Sequence, residues 1–182
     1  MKSAIFLEWF RYAVDRVGPG YWGHVERVYC YELYHYIRVA MHHHERTQGK
    51  VEDIFLHSEL VKTVLSENDA QRYDVWPLGA RRMPDFLFHT PDNFNNQIAA
   101  IEVKTAYLSQ DKFIEDLEKL TELYRNYKYQ LAIFHCTNTS IDRIRHLLKD
   151  ISTDHIEENI KIECKEKFNE PMISMNFKDL KT

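Results

Sequence analysis

The chain has 182 residues, of which 44% are hydrophobic and 13% are aromatic, and it contains only five glycines and five prolines. This composition is typical of a folded globular domain and excludes a collagen-like, fibrous or disordered chain. The formal net charge of -4 argues against a broad basic surface for nucleic acid, although a local basic patch can coexist with an acidic total.

The cysteines and the N-terminus bear on the cellular compartment. Cys30, Cys136 and Cys164 are odd in number and far apart, so they predict neither a disulfide framework nor a thiolate zinc site. The apolar run at residues 4–7 is soon interrupted by charged residues, and it is too short for a signal peptide or a membrane span. We therefore expect a soluble, cytoplasmic protein.

Two patterns of helical periodicity open the chain. Residues 3–17 place apolar side chains three and four apart, and Gly-Pro-Gly at residues 18–20 then ends this helix. A second, aromatic-rich helix is predicted from about residue 21 to residue 41. The polar stretch at residues 42–49 is interpreted as a solvated helix end and loop.

Strands and further helices follow. Short apolar runs bounded by turn residues predict strands at residues 53–60, 84–89, 97–105, 129–136 and, less regularly, 159–164 and 171–177. Residues 111–128 form an amphipathic pattern that predicts a helix covering the sheet, with Asp111 as its N-cap. Ser140 is predicted to cap one more helix.

These elements predict one domain over residues 1–182. We expect a helical part at 1–45, a sheet core at 50–136, and a C-terminal helix with peripheral strands at 137–182. The fold class is α/β or α+β, with a central mixed β-sheet flanked by helices. The element order is αβββαβ, preceded by an additional N-terminal helix.

One constellation of residues on the predicted sheet carries chemistry. The two-residue period of a strand places Glu102 and Lys104 on one face. Asp85 follows Pro84 at the start of the preceding strand, so antiparallel pairing would bring Asp85 beside Glu102. Two acids on adjacent strands can share Mg²⁺, with the Val103 carbonyl oxygen as a further hard ligand. The Lys104 ammonium can orient or help deprotonate a water and offset charge on phosphorus.

The second helix offers a further acid. Glu32 lies near the centre of a narrow sector of this helix that also contains Val25, Val28, Tyr29, Tyr36 and Val39. An acid facing the interior needs a partner, which a metal ion or Lys104 would provide. The alternatives are a core glutamate bonded to tyrosines, or a helix rotated about its axis. Glu26 lies beside the sector and is the lesser candidate.

The sequence Pro84-Asp85, sixteen residues, then Glu102-Val103-Lys104 resembles the PD-(D/E)XK motif of restriction endonucleases and repair or resolvase nucleases. With the predicted element order, the resemblance covers about residues 21–136. It implies a restriction-endonuclease-like core and a nuclease that uses Mg²⁺ or Mn²⁺ and acts on nucleic acid, with DNA favoured and RNA left open. It also implies that Asp85 and Glu102 bind the metal and that Lys104 is catalytic.

The same resemblance implies two further points and leaves alternatives open. Many members of the superfamily supply an acid from the helix before the sheet, and Glu32 matches that acid in position. Many also pair to cut both strands, which leaves a homodimer open. One alternative is a catalytically inactive module of this fold that binds nucleic acid or protein, which the acidic net charge favours. Another is that Asp85 simply opens a strand and that Glu102 and Lys104 form an exposed ion pair.

Two weaker features are interpreted mainly as surface residues. The histidine run at residues 42–44 either binds a metal or is a solvated helix end, and we favour the second interpretation. Glu59 and Lys62, near the end of the first strand, either line the same cleft or are an ordinary surface acid and base.

Overall fold

The structure is a computed structural model that describes residues 2–51, 53–105 and 108–181. It has an α+β fold with an open, mixed, six-stranded sheet, which confirms the predicted fold class at that level. The α-helices of the described residues are α1 (Lys2–Arg16), α2 (Glu26–Gln48), α3 (Glu67–Arg72), α4 (Gln110–Arg125) and α5 (Ile141–Leu147). The strands are β1 (Phe55–Ser58), β2 (Phe86–His89), β3 (Gln97–Lys104), β4 (Leu131–Thr137), β5 (Lys161–Lys165) and β6 (Ile173–Asn176). Short 3-10 helices lie at Pro19–Tyr21 and Phe177–Leu180.

The strands lie side by side in chain order, from β1 at one edge to β6 at the other. The pairs β1–β2, β2–β3 and β5–β6 are antiparallel. Short connections join β2 to β3 and β5 to β6, whereas a long segment that contains α3 joins β1 to β2. The pairs β3–β4 and β4–β5 are parallel, and helices α4 and α5 make the crossovers. The site described below lies where the antiparallel part of the sheet meets the parallel part.

Helices cover both faces of the sheet and create two cores. On one face, α1 and α2 pack on β2 and β3, with Phe10, Leu33 and Phe88 fully or almost fully buried. On the other face, α4 and α5 pack on β3, β4 and β5, with Phe113 and Phe134 fully buried. Among the described residues, no helix combines the length and apolar character needed to cross a membrane.

The termini of α2 differ from the prediction. The helix begins only at Glu26, because Pro19–Tyr21 forms a 3-10 turn and Gly23 has a positive φ of 78°. It continues to Gln48, so most of the stretch predicted as a solvated helix end and loop is helical. Residues 42–48 contain no glycine or proline, and the helix ends at Gly49, which has a φ of 95°.

Helix α3 was missed at the sequence level, and the N-cap of α4 was misassigned. The six residues of α3 are too few to show a helical period, and Ser66 caps them by accepting a hydrogen bond from the Asp69 backbone N–H. Ser140 caps α5 as predicted, whereas α4 is capped by Ser109 and Asp111 lies in its first turn.

The reassigned cap gives the first prediction. Ser109→Ala should lower the free energy of unfolding by about 1 kcal/mol, because the backbone N–H of Lys112 loses the serine oxygen that it contacts. Asp111→Ala should lower the free energy of unfolding by only about a few tenths of a kcal/mol, since Asp111 acts only through the helix dipole. Urea denaturation followed by circular dichroism measures both. A larger loss in Asp111→Ala would assign the cap to Asp111 after all.

Candidate active site

Asp85 and Glu102 lie side by side on neighbouring strands. Phe86 pairs with Ile101 across the antiparallel β2–β3 ladder, which places Asp85 opposite Glu102 at the next position. The Asp85 side chain is fixed further by the backbone N–H of Val103, which donates to its Oδ2 over 2.7 Å. The antiparallel approach expected from the sequence is therefore present in the fold.

Lys104 follows Glu102 on the face of β3 that α4 covers. Its Nζ lies 3.2 Å from Oε2 of Glu26, 3.3 Å from Oδ2 of Asp116, and donates to the Val103 carbonyl oxygen over 3.0 Å. The ammonium thus joins the beginning of α2, the middle of α4 and the end of β3. Because Glu102 is only 2% exposed, Glu102 and Lys104 are not the exposed ion pair of the alternative interpretation.

Helix α4 supplies two residues that the sequence interpretation missed. Asp116, which is buried, and Lys119 lie one helical turn apart, and Lys119 Nζ is 3.2 Å from Asp116 Oδ1. The same Nζ is 2.9 Å from Oε1 of Glu102. An available signal was that Asp116 interrupts the predicted apolar face of this helix, between Phe113 and Leu120.

The acid from α2 is Glu26 and not Glu32. The buried residues of the helix are Tyr29, Cys30, Leu33, Ile37, Ala40 and Met41. This face is rotated by roughly 120° from the predicted sector, whose member Val25 is 70% exposed. Glu26 continues the buried face one turn before Cys30 and contacts Lys104, whereas Glu32 lies on the flank of that face; both glutamates are partly exposed. The buried face is therefore not the predicted sector centred on Glu32, and a rotated helix accounts for the difference.

The cluster holds more negative than positive groups. We call the carboxylates of Glu26, Asp85, Glu102 and Asp116, with the ammonium groups of Lys104 and Lys119, the carboxylate–lysine cluster. Four carboxylates surround two ammonium groups, so the fully ionised cluster carries an excess of two negative charges. Such an excess in a partly desolvated place has an electrostatic cost.

The pKa values of the cluster show this cost. Burial raises the pKa of Asp85 to about 6, although the Val103 N–H and Lys104 act in the opposite direction. Burial and the neighbouring Asp85 raise the pKa of Glu102 well above its usual range. Burial lowers the pKa of Lys104, but the carboxylates led by Asp116 and Glu26 outweigh this and leave it raised. Lys104 is therefore a firmly protonated hydrogen-bond donor at neutral pH.

A cleft gives access to part of the cluster. Its volume is about 290 Å³, and Glu26 and Asp85 line it together with Cys30 and Ser58. Glu59 also lines it, as one sequence interpretation expected, and forms an exposed ion pair with Arg27 at 3.0 Å. Asp85 and Glu26 thus face solvent, while Glu102 lies behind them.

The other sequence candidates lie apart from the cluster. Lys62 lines a different cavity, formed with His57 and His89. The histidines at residues 42–44 lie in the last turns of α2, roughly 24 Å along the helix from Glu26. There His43 and His44 line a groove between α1 and α2.

The carboxylates of the cluster have the chemistry of metal ligands but not the arrangement of a metal site. Within residues 2–51, 53–105 and 108–181, no three His, Cys, Asp or Glu side chains converge as metal ligands in the present arrangement. Instead the ammonium groups of Lys104 and Lys119 lie between the carboxylates. The chemistry of the set nevertheless fits a hard divalent cation, because its donors are oxygens and its uncompensated charge is that of one such ion.

The residues of the carboxylate–lysine cluster offer groups for binding both cations and anions. Asp85 and Glu102 offer oxygen donors of the kind that a divalent cation takes, and the Lys104 ammonium is a donor of the kind that an anionic substrate takes. Comparisons of the chain with protein-family models, with curated proteins and with solved structures found no match in any of the three.

Proposed function

We propose that this chain is a metal-dependent nuclease of the PD-(D/E)XK type that hydrolyses phosphodiester bonds of DNA. The observation that carries the proposal is the carboxylate–lysine cluster itself. Asp85 and Glu102 are neighbours on adjacent strands, Lys104 follows Glu102 on the same face, and the cluster has two carboxylates in excess.

The order of elements supports the same proposal. From α2 onwards the chain runs α2, β1, β2, β3, α4 and β4, with the short α3 between β1 and β2. Apart from the inserted α3, this order is consistent with the αβββαβ core that the motif resemblance implies. Strands β1, β2 and β3 are antiparallel to their neighbours, and β4 is parallel to β3. Because fold order by itself does not determine activity, the cluster remains the stronger argument.

The residues that would hold Mg²⁺ or Mn²⁺ are Asp85 and Glu102, with the Val103 carbonyl oxygen and Glu26 in support. When bound, such an ion neutralises phosphate charge and acidifies water. Lys104 is protonated, so its role is to donate hydrogen bonds that position the attacking water and offset charge on the phosphoryl oxygens. Glu102 can bind a cation only when Lys119 moves away from its Oε1.

The direct test is cleavage of plasmid, linear duplex and single-stranded DNA, and of RNA, in Mg²⁺ and separately in Mn²⁺. We expect cleavage of DNA that chelation by EDTA abolishes. The Glu102→Gln variant, prepared identically, should be inactive and so excludes a contaminating nuclease. Absence of cleavage on all four substrates in both metals would contradict the proposal.

A second candidate function is an inactive module of the same fold that binds nucleic acid or protein. The observation that favours it is that Lys104 and Lys119 already form ion pairs with Glu26, Glu102 and Asp116, as in a purely structural network. The net charge of -4 is also low for a DNA enzyme. Binding without cleavage, unaffected by Glu102→Gln, would favour this candidate.

The two glutamates of α2 provide a matched pair of variants. Glu26→Gln should lower the cleavage rate by about tenfold, because the Lys104 ammonium loses one of the carboxylates that orient it. Glu32→Gln should leave the rate unchanged, since Glu32 lies on the flank of the same helix. Single-turnover cleavage at saturating Mg²⁺ measures both. A lower cleavage rate in Glu32→Gln but not in Glu26→Gln would show that Glu32 is the acid that α2 supplies, as the sequence resemblance implied.

Lys119 should compete with the cation for Glu102. In Lys119→Met the metal-free protein should melt at a lower temperature, because Glu102 and Asp116 lose an ammonium partner. Mg²⁺ should then raise the melting temperature of the variant more than that of the wild type. Differential scanning fluorimetry in the absence and in the presence of about 10 mM Mg²⁺ measures the melting temperature of both proteins. Equal shifts in the two proteins would show that no cation reaches Glu102.

A further inference from the structure

A second cavity lies on the α4-covered face of the sheet, toward the other end of β2 from Asp85. Its volume is about 570 Å³, within the range of small-molecule sites. Its polar lining includes His57 of β1, Lys62 and His89 of β2, together with Thr63, Asp92 and Asn93. His89 follows Asp85 by four positions along the strand, or roughly 13 Å, so this cavity is distinct from the carboxylate–lysine cluster.

The side chains of Lys62, His89 and His57 form one chain of hydrogen bonds. Lys62 Nζ lies 3.2 Å from Nδ1 of His89, and Nε2 of His89 lies 3.0 Å from Nδ1 of His57. An ammonium group has no lone pair, so Lys62 must donate and His89 Nδ1 must accept. His89 then donates from Nε2 to His57, which leaves the Nε2–H of His57 as a donor for a ligand.

This chain carries one positive charge without a carboxylate in contact. Burial lowers the pKa of Lys62 to about 8 and that of His89 to about 3, so near pH 7 the lysine is charged and His89 is neutral. Asp92, which also lines the cavity, favours the charged form of the lysine, and no ion pair of the described residues includes Lys62. A partly buried ammonium beside an open cavity is a ready partner for an anion.

Aromatic rings form another part of the lining. The ring of Phe94 lies 5.3 Å from that of Tyr73 and 5.0 Å from that of Tyr127, between centroids. All three rings line the cavity. They offer an apolar surface for a flat ring, next to the cationic group, which is the combination that a nucleotide requires.

The segment that carries Lys62 is held in place. The Tyr127 hydroxyl donates to the Thr63 carbonyl oxygen over 2.5 Å. Lys62 and Arg82 exchange two backbone hydrogen bonds, of 2.7 and 3.0 Å. The cationic group is therefore positioned before any ligand arrives, which reduces the entropy lost on binding.

We propose that this cavity binds a nucleoside monophosphate, with its phosphate on Lys62 and the His57 Nε2–H and its base against the aromatic rings. This inference stands apart from the proposed nuclease activity, since it uses none of the carboxylate–lysine cluster. A site of this kind would bind either a free nucleotide or a nucleotide released by cleavage, and the chemistry of recognition is the same.

The test is isothermal titration calorimetry with AMP, CMP, ribose 5-phosphate and adenosine in EDTA at pH 7. We expect AMP or CMP to bind with a Kd below about 1 mM, and adenosine and ribose 5-phosphate to bind at least about tenfold more weakly. Lys62→Met should weaken nucleotide binding by about tenfold or more. The control Lys167→Met removes an exposed lysine that pairs with Glu170 and should change nothing.

Several results would overturn the proposal. These are absence of nucleotide binding, equal affinity for AMP and adenosine, or equal affinity of the wild type and a correctly folded Lys62→Met variant. If Lys62→Met does not fold, His57→Phe tests the same phosphate site, because it removes the Nε2–H donor. Titration of Asp85→Asn separates the two proposals, because that variant should lose cleavage and retain nucleotide affinity.

Discussion

Asp85→Asn is expected to lower metal-dependent cleavage by at least about 1000-fold, which corresponds to about 4 kcal/mol of transition-state stabilisation. The amide removes the negative charge that a cation needs, but its oxygen can still accept the 2.7 Å hydrogen bond from Val103 N–H. The measurement is single-turnover DNA cleavage with saturating Mg²⁺, together with Mg²⁺ affinity. Activity within tenfold of the wild type would remove Asp85 from the proposed site.

The same variant should not be destabilised near neutral pH. The Asp85 carboxyl has a pKa of about 6 in the folded protein, against about 3.9 for an unfolded chain. Between these values the folded state binds more protons, so the free energy of unfolding falls as the pH rises. Asn carries no such cost, and in metal-free buffer at pH 7.5 the variant should therefore melt no lower than the wild type.

A matched control is available at the surface. Asp142→Asn makes the same chemical change at a side chain that is 92% exposed and pairs with Arg145. This control should leave cleavage unchanged and lower the melting temperature only slightly, because Asp142 lies in the first turn of α5. If it lowers cleavage as much as Asp85→Asn does, the loss reflects overall charge rather than the site.

Lys104→Met is expected to lower the cleavage rate by about 100-fold or more while leaving Mg²⁺ binding intact. The thioether keeps the length of the side chain but removes the ammonium that would position water and offset phosphoryl charge. The two carboxylates paired with Lys104, of Glu26 and Asp116, would repel each other in the metal-free variant. Its melting temperature should therefore fall without Mg²⁺ and recover when Mg²⁺ is added.

Lys112, an exposed lysine of α4, provides the control for Lys104→Met. Lys112→Met removes an exposed lysine of α4, paired with Glu115, and should change neither rate nor stability. Loss of Mg²⁺ affinity together with the rate in Lys104→Met would show that the lysine organises the carboxylates and takes no part in the reaction. Unchanged cleavage would exclude Lys104 from both roles.

The sheet and the central pair of acids were predictable because their signals are local. The two-residue period of a strand places Glu102 and Lys104 on one face whatever surrounds the strand. The turn-rich loop at residues 90–96 joins two short apolar runs, and such neighbours in sequence usually pair. The approach of Asp85 to Glu102 therefore followed from sequence alone, and the antiparallel β2–β3 ladder contains it.

The helical contributions to the site were harder to predict. In α2 several overlapping stripes of apolar and aromatic residues offer more than one plausible buried face, and the sequence favoured the one centred on Glu32. In the structure, the face that contains Leu33 and Ile37 packs against α1 and the sheet. This rotation of the helix places Glu26 beside Lys104. In α4 the roles of the buried Asp116 and the partly buried Lys119 depend on the positions of Glu102 and Lys104 beneath them, which the pattern of α4 alone does not indicate.

The sequence by itself determined the order of the main elements, the mixed sheet and the motif residues Asp85, Glu102 and Lys104, because alternation and turn chemistry act over a few neighbouring residues. Only the tertiary structure decided the rotation of α2, the partners supplied by α4, and the separate cavity around Lys62. These depend on contacts between segments far apart in the chain, where packing of whole helix faces outweighs the preference of any single residue.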